Sequence, residues 1–146
     1  MRFLLDVNVL VALAFPQHTF HSAAHAWFDG EPNRLWATCP LTQAGFLRFA
    51  SREFFGAKGS SRDAIRTALT ALERDCKSPH HQHWPADTDL RDLSDAMRAR
   101  LIGPNQVADM QLLLLAHHHK GQLATFDTGL RELAAGTRYE NALLVL

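Results

Sequence analysis

Three aspartates stand where apolar runs stop. In MRFLLDVNVL, Asp6 closes the run Phe3-Leu4-Leu5, and Asn8 follows one valine later. In LATFDTGL, Asp127 closes a second such run, and NQVADMQLLLLA sets Asp109 just ahead of a third. An unpaired buried charge costs several kcal/mol, so carboxylates in such company belong at a border of the core, beside a partner. Carboxylates gathered together repel and call for a cation, and all-oxygen donors select hard ions, Mg²⁺ or Mn²⁺. Ions held by such acids, about 3.5–4 Å apart when there are two, serve phosphodiester hydrolysis. Each acid also has a plainer use: Asp127 as the cap of a helix beginning at residue 128, Asp109 as an ordinary first-turn charge.

Periodicity and breakers supply the elements that must position these acids. Short apolar stretches at residues 2–6, 34–38, 122–126 and 142–146 read as strands. Residues 8–15, 18–28, 40–50, 62–76, 90–101, 105–119 and 128–135 read as helices, punctuated by Pro16, Gly30, Pro32, Gly103 and Pro104, with Asn105 capping the helix to residue 119 and Gly121 ending it. Residues 56–61 read as a loop that supplies a serine cap, and residues 78–85 as a polar loop or a brief strand. Apolar strands separated by helices argue for a parallel sheet covered on both faces, the three-layer α/β/α class. Sites in such sheets form at the carboxyl ends of strands, where Asp6 and Asp127 fall.

The totals agree. With 146 residues, 47% of them apolar, the chain reads as one globular domain spanning residues 1–146. Fifteen basic against fifteen acidic residues give no overall positive field, so a nucleic-acid partner would have to be met by a local basic face. Arg48, Arg52, Lys58, Arg62 and Arg66 are the one mild basic concentration, and a solvated helix face explains them equally. Two cysteines without a CxxC, no apolar run of about 20 residues and no signal-peptide pattern predict a cytoplasmic protein without disulfides or a membrane segment.

LLDVNVLVAL, WATCPLTQAGFLRF, VADMQLLLLA and LATFDTGL, in this order and at these spacings, resemble the PIN-domain ribonucleases, and most closely the VapC-type toxins of bacterial toxin–antitoxin pairs. The resemblance covers nearly the whole chain. It implies a PIN-type α/β/α sandwich and a Mg²⁺-dependent endoribonuclease, Mn²⁺ substituting, that hydrolyses RNA with metal-activated water. It also implies a homodimer inhibited by a small antitoxin, whose C-terminal segment lies across the acidic cleft. Residue by residue it assigns Asp6, Asp109 and Asp127 to catalysis and metal binding. Asn8 and Thr125 become polar positions that orient the acids, and Arg48 a residue facing phosphate. Gln43 departs from the pattern, because most relatives carry glutamate there. Its side chain is expected on the first turns of the helix after Pro40, directed at Asp6. An amide is a weaker ligand than a carboxylate and no base, so Gln43→Glu is expected to tighten metal binding and raise cleavage.

Other arrangements are less well served. Haloacid-dehalogenase-type phosphatases need an acid two residues after the first, where this chain has Asn8. Receiver domains need a lysine following a late strand, but Lys120 precedes one. A PIN-like domain that binds RNA or a partner with little or no cleavage remains the alternative, because of Gln43. The histidines fall in three groups, at 18–25, 80–83 and 117–119. They read as surface and helix-end residues; His21 and His25 have ligand spacing but no accompanying acid motif. Trp27, Trp36, Phe46 and Phe49 read as core, while Phe46, Phe49, Phe54 and Phe55 together offer aromatic surface for an antitoxin.

Overall fold

The computed structural model describes residues 1–52 and 61–146, with the side chain of Ser61 left aside. Phe54, Phe55, Lys58 and the loop and serine cap expected at residues 56–61 lie outside the described residues. Five strands, β1 (Arg2–Leu5), β2 (Leu35–Thr38), β3 (His81–His83), β4 (Gln122–Thr125) and β5 (Leu143–Val145), form one parallel sheet in the order β3-β2-β1-β4-β5. The brief strand read within residues 78–85 is β3.

Two-residue alternation divides each strand between two cores. Leu4, Ala37 and Leu123 face one layer, in which α6 (Gln106–His118) contributes Met110, Leu113 and Leu115 and α7 (Leu130–Ala134) contributes Leu130 and Leu133. Leu5, Trp36 and Ala124 face the other. There α1 (Val7–Ala14) brings Val9 and Val11, α3 (Pro40–Ala50) brings Phe46, and α4 (Ser61–Cys76) brings Ala68. Truncating a leucine buried as fully as Leu4 or Leu123 is worth about 2–5 kcal/mol. Gly45 lets α3 close on α1, since a Cβ there would drive into a methyl of Val7. α2 (His21–Asp29) packs outside α1, and its Trp27 meets Phe3 edge-on at 5.2 Å.

The strand order has a consequence for function. From β1 the chain winds outward through β2 to β3, and α6 then carries it back to β4, on the other side of β1. After β1 it leaves into the α1 layer; after β4 it leaves into the α7 layer. The carboxyl ends of β1 and β4 thus flank a crevice at the point where the winding reverses, the usual ligand position in open parallel sheets.

Three expectations are corrected. Residues 90–101 do not form one helix. A 3₁₀ turn at Leu90–Asp92 is capped by Asp89, and a one-turn helix, α5 (Asp95–Arg98), is capped by Ser94, whose hydroxyl accepts from the Met97 N–H at 3.3 Å. Ahead of α6, the Asn105 side chain makes no capping bond; Oε1 of Gln106 accepts from the N–H groups of Ile102 and Gly103 instead. At its other end the left-handed residue is Lys120, φ 55°, and not Gly121. The N–H of Gly121 reaches the Ala116 carbonyl at 2.9 Å and that of Lys120 the His117 carbonyl at 3.1 Å, the paired bonds of a Schellman ending. Gly121 is glycine for space: a Cβ would sit 2.6 Å from both the Arg2 carbonyl oxygen and the Trp84 ring.

Candidate active site

Asp6 is the first residue beyond β1 and the N-cap of α1, so the abrupt strand-to-helix turn sets its carboxylate at the crevice. It is 8% exposed and well supplied with donors. Its Oδ1 accepts from the Val7 N–H at 2.6 Å; its Oδ2 accepts from the Thr125 hydroxyl at 2.6 Å and from the Asn8 amide at 3.0 Å. Thr125, last residue of β4 and fully buried, is the hub. Its hydroxyl donates to Asp6 and accepts from Nδ2 of Asn8 and from the Asp127 N–H, each at 3.0 Å. Asn8 closes the network through Oδ1, which takes the Phe126 N–H at 3.1 Å. The ends of β1 and β4 are thereby stitched together by side chains from both.

Asp127 follows two residues after Thr125, beyond the end of β4, with its N–H on the Thr125 hydroxyl. Its Oδ1 accepts from the Gly129 N–H at 2.8 Å, a turn that leads into α7. Its plainer use as the cap of a helix beginning at residue 128 is not met: the N-cap of α7 is Gly129, with no side-chain capping bond. α7 begins at Leu130, later than residue 128, because this side-chain turn occupies the intervening residues. Asp109 lies half-buried in the first turn of α6, where the helix dipole favours negative charge.

Electrostatics joins the three acids. Burial pushes the Asp109 carboxyl up to about 6, and the charges of Asp6 and then Asp127 push the same way. Asp6 is also raised, first by burial and less by Asp127, against the lowering effect of its bonds from Thr125, Val7 and Asn8. Among the described residues no lysine or arginine pairs with any of the three. Three carboxylates from separate segments, two of them raised by burial and by a neighbouring acid and all left without a described basic partner, fit a hard divalent cation in chemistry and charge. Asp6, Asp109 and Asp127 are the residues that would hold it.

Gln43 occupies the first turns of α3, as expected, but its hydrogen bonds do not run to Asp6. Its Nε2 donates to the Thr38 hydroxyl at 2.9 Å and lies 3.4 Å from Nδ1 of His83. Side chains on a helix lean toward its N-terminus, so this residue reaches back to the strand that precedes its own helix. That strand neighbours β3, whose His83 is in register with Thr38. The result is a second polar group, Thr38, Gln43, His81 and His83, which the sequence reading missed; the two-residue spacing of His81 and His83 on one side of a strand was its signal. Burial lowers the His81 pKa, and the neighbouring His83 and Arg2 charges add to this. Arg48 is exposed in the last turn of α3. His21 and His25 serve structure: their rings bond the carbonyls of Ala12 and Leu13, at 2.7 and 3.0 Å, near the end of α1.

Comparison with known proteins agrees with this geometry. A family model for the PIN domain matches residues 3–136. Ribonuclease VapC44 of Mycobacterium tuberculosis is 39% identical over 127 residues, covering 87% of each chain. Ribonuclease VapC39 of the same organism is 37% identical over 135 residues, covering 92% of this chain and 95% of its own, and Ribonuclease VapC29 is 39% identical over 133 residues, 91% of each. With the family model spanning most of the sheet and its helices, and relatives this similar along nearly their whole length, the chain belongs to the PIN-domain family, in its VapC branch.

Proposed function

We propose that this chain is an endoribonuclease toxin that uses Mg²⁺, or Mn²⁺ in its place, to hydrolyse RNA phosphodiester bonds. The observation that carries the proposal is the electrostatic link among three acids from separate segments near the winding reversal: after burial, Asp6 and Asp127 raise Asp109, and Asp127 raises Asp6, with no basic residue described beside them. The relatives named above are ribonucleases, which supports the choice of substrate. A hard divalent ion held there would acidify water and offset charge on the phosphodiester.

The chain's own residues do the positioning. Thr125 and Asn8 fix the orientation of Asp6, and the Gly129 N–H fixes one oxygen of Asp127 while the other makes no hydrogen bond with a described residue. Asp109 is held by a helix turn rather than by hydrogen bonds. Arg48, in the last turn of α3, and Arg52, just beyond it, are both exposed and would steer the RNA backbone. We assign the chain a homodimeric state and an antitoxin partner on the family pattern. A basic antitoxin side chain would take the cation's place among the acids. An open groove of about 500 Å³ lined by Leu41, Val107 and Ala108, on another face of the start of α6 from Asp109, offers apolar contact.

The test is cleavage of total RNA by the purified chain in Mg²⁺ and in EDTA, beside Asp6→Asn. Cleavage in Mg²⁺ alone, lost in the variant, is the expected outcome; equal cleavage by both proteins sinks the proposal. The second reading, binding without cutting, is favoured by the engagement of Gln43 with Thr38, which leaves three carboxylates where the resemblance would expect a fourth. It predicts RNA retention and no products under the same conditions.

A further inference from the structure

At the other end of α6 a different set of ligands converges. Nε2 of His119 lies 3.1 Å from Oδ1 of Asp87, and Nε2 of His118 lies 3.6 Å from Oδ2 of the same carboxylate. One donor atom from each of the three residues falls within 4.8 Å of the others. Zinc bound to imidazole and carboxylate at about 2.0–2.2 Å in tetrahedral geometry sets its ligand atoms roughly 3.3 Å apart. The two histidine–carboxylate distances, 3.1 and 3.6 Å, already stand near that separation, and all three donors lie within 4.8 Å of one another. Nine residues of helix, roughly 14 Å, separate His118 from Asp109.

We propose that Asp87, His118 and His119 form a second cation site, for a borderline metal of the Zn²⁺ class, separate from the acidic crevice. Two imidazoles and one carboxylate favour Zn²⁺ over Mg²⁺, whereas three carboxylates favour the reverse, so the two sites sort cations by donor type. Adjacent helical residues point about 100° apart and do not ordinarily share a ligand. Here they do, because the helix stops at His118 and its Schellman ending swings His119 round. The left-handed Lys120, a conformation few non-glycine residues adopt, maintains that ending. The His119 ring is held flat against buried Trp84 at 4.6 Å, with 10° between the planes. His117 takes no part, its ring packing edge-on against Tyr139 at 4.9 Å. Side-chain exposures of 53% for His118 and 40% for Asp87 leave the site open to an entering ion.

Occupancy would tie the segment after β3 to the end of α6. The same segment is anchored one residue later, where Gln111 donates to Thr88, and Ala86 and Thr88 line a groove with Leu41, Val107 and Ala108. The cation acts there as a brace on one wall of that groove.

The experiment is Zn²⁺ titration by calorimetry of untagged protein in excess Mg²⁺, with Co²⁺ absorption as a report on ligand number. Parent, Asp87→Asn, His118→Gln and Asp109→Asn are compared. Asp87 and His118 are exposed enough for their variants to fold, which thermal melts check. We expect one Zn²⁺ per chain in the parent and in Asp109→Asn, with affinity falling more than about tenfold in the other two. No uptake in excess Mg²⁺, equal uptake in all four proteins, or loss in Asp109→Asn with retention in Asp87→Asn would each overturn the proposal. None of these readouts depends on RNA cleavage, so failure here is distinct from failure of the nuclease proposal.

Discussion

The carboxyl ends of the strands carry two polar groups of opposite character. Between β1 and β4, three acids and their donors gather where the winding reverses. Between β2 and β3, where the winding continues in one direction, Thr38, Gln43, His81 and His83 bond to one another. In the second group each amide, hydroxyl or imidazole finds a partner within the group. The first spends its hydrogen bonds orienting Asp6 and leaves a net charge unanswered. Unanswered charge in a half-buried crevice is costly, and that cost is what a bound cation relieves. Topology explains the division, since only at the reversal do the connecting helices depart to opposite faces and leave the strand ends open.

The largest expected effect comes from Asp6→Asn. Divalent-ion affinity and RNA cleavage should fall by more than the roughly 10–100-fold seen when an outer partner of a metal ligand is lost. The fold should persist, since the amide still accepts from Val7. Parent-level cleavage would remove the crevice from the mechanism. Thr125→Val comes next. The replacement keeps the shape of the buried side chain but removes the hub hydroxyl, so Asp6 loses one of its two shortest donors and the Asp127 N–H its acceptor. Cleavage should drop by about 10–100-fold and stability by about 1–3 kcal/mol. A melt within error of the parent would show that the network does not hold the two strand ends together.

Asp109→Asn probes the unanswered charge in protein kept free of divalent ions. The folded-state pKa of about 6 lies above the ordinary 3.8, so ionising this acid disfavours the fold. Stability is therefore lost as pH rises from about 4 through about 6. The variant, with no charge to bury, should be more stable than the parent at pH 8, by about 1 kcal/mol after allowing for solvent screening at this half-exposed site. The gain should shrink as pH falls below 6 and vanish near 4. Denaturant melts in EDTA across that range measure it. A difference that does not change with pH would mean that Asp109 does not feel the other acids.

How much of this is legible in the sequence follows the range of the interactions involved. The strands ending in Asp6 and Asp127 are marked by apolar runs that stop at an acid, and the placement of Asp109 in the first turn of α6 needs only helical period. The break in residues 90–101 is local too but hidden, because Leu90, Leu93, Met97 and Leu101 keep helical spacing through the interruption. Asp89 and Ser94, which cap the two short turns instead, read as ordinary polar residues of a helix face. Thr125 is legible as a polar neighbour of Asp127, but its role as hub depends on pairing between β1 and β4, more than a hundred residues apart. The partners of Gln43 depend likewise on which strand lies beside β2.

That dependence gives Gln43→Glu the smallest and most discriminating effect. The family pattern alone expects the new carboxylate to join the metal ligands, with tighter binding and faster cleavage. The observed hydrogen bonds direct the position elsewhere. Glutamate loses the amide donor to Thr38 and gains an acceptor, which the Thr38 hydroxyl can satisfy by turning its proton. His83, 3.4 Å from the amide nitrogen, would then face a carboxylate and should titrate at higher pH than in the parent. Metal affinity should change by less than about tenfold, since the charge is taken up within the neutral group rather than at the acids. NMR titration of His83 in both proteins, with calorimetry of Mn²⁺ binding, decides between the two outcomes. An unchanged His83 with affinity raised tenfold or more would mean that the side chain swings to the crevice once it carries charge. The two polar groups would then act as one site.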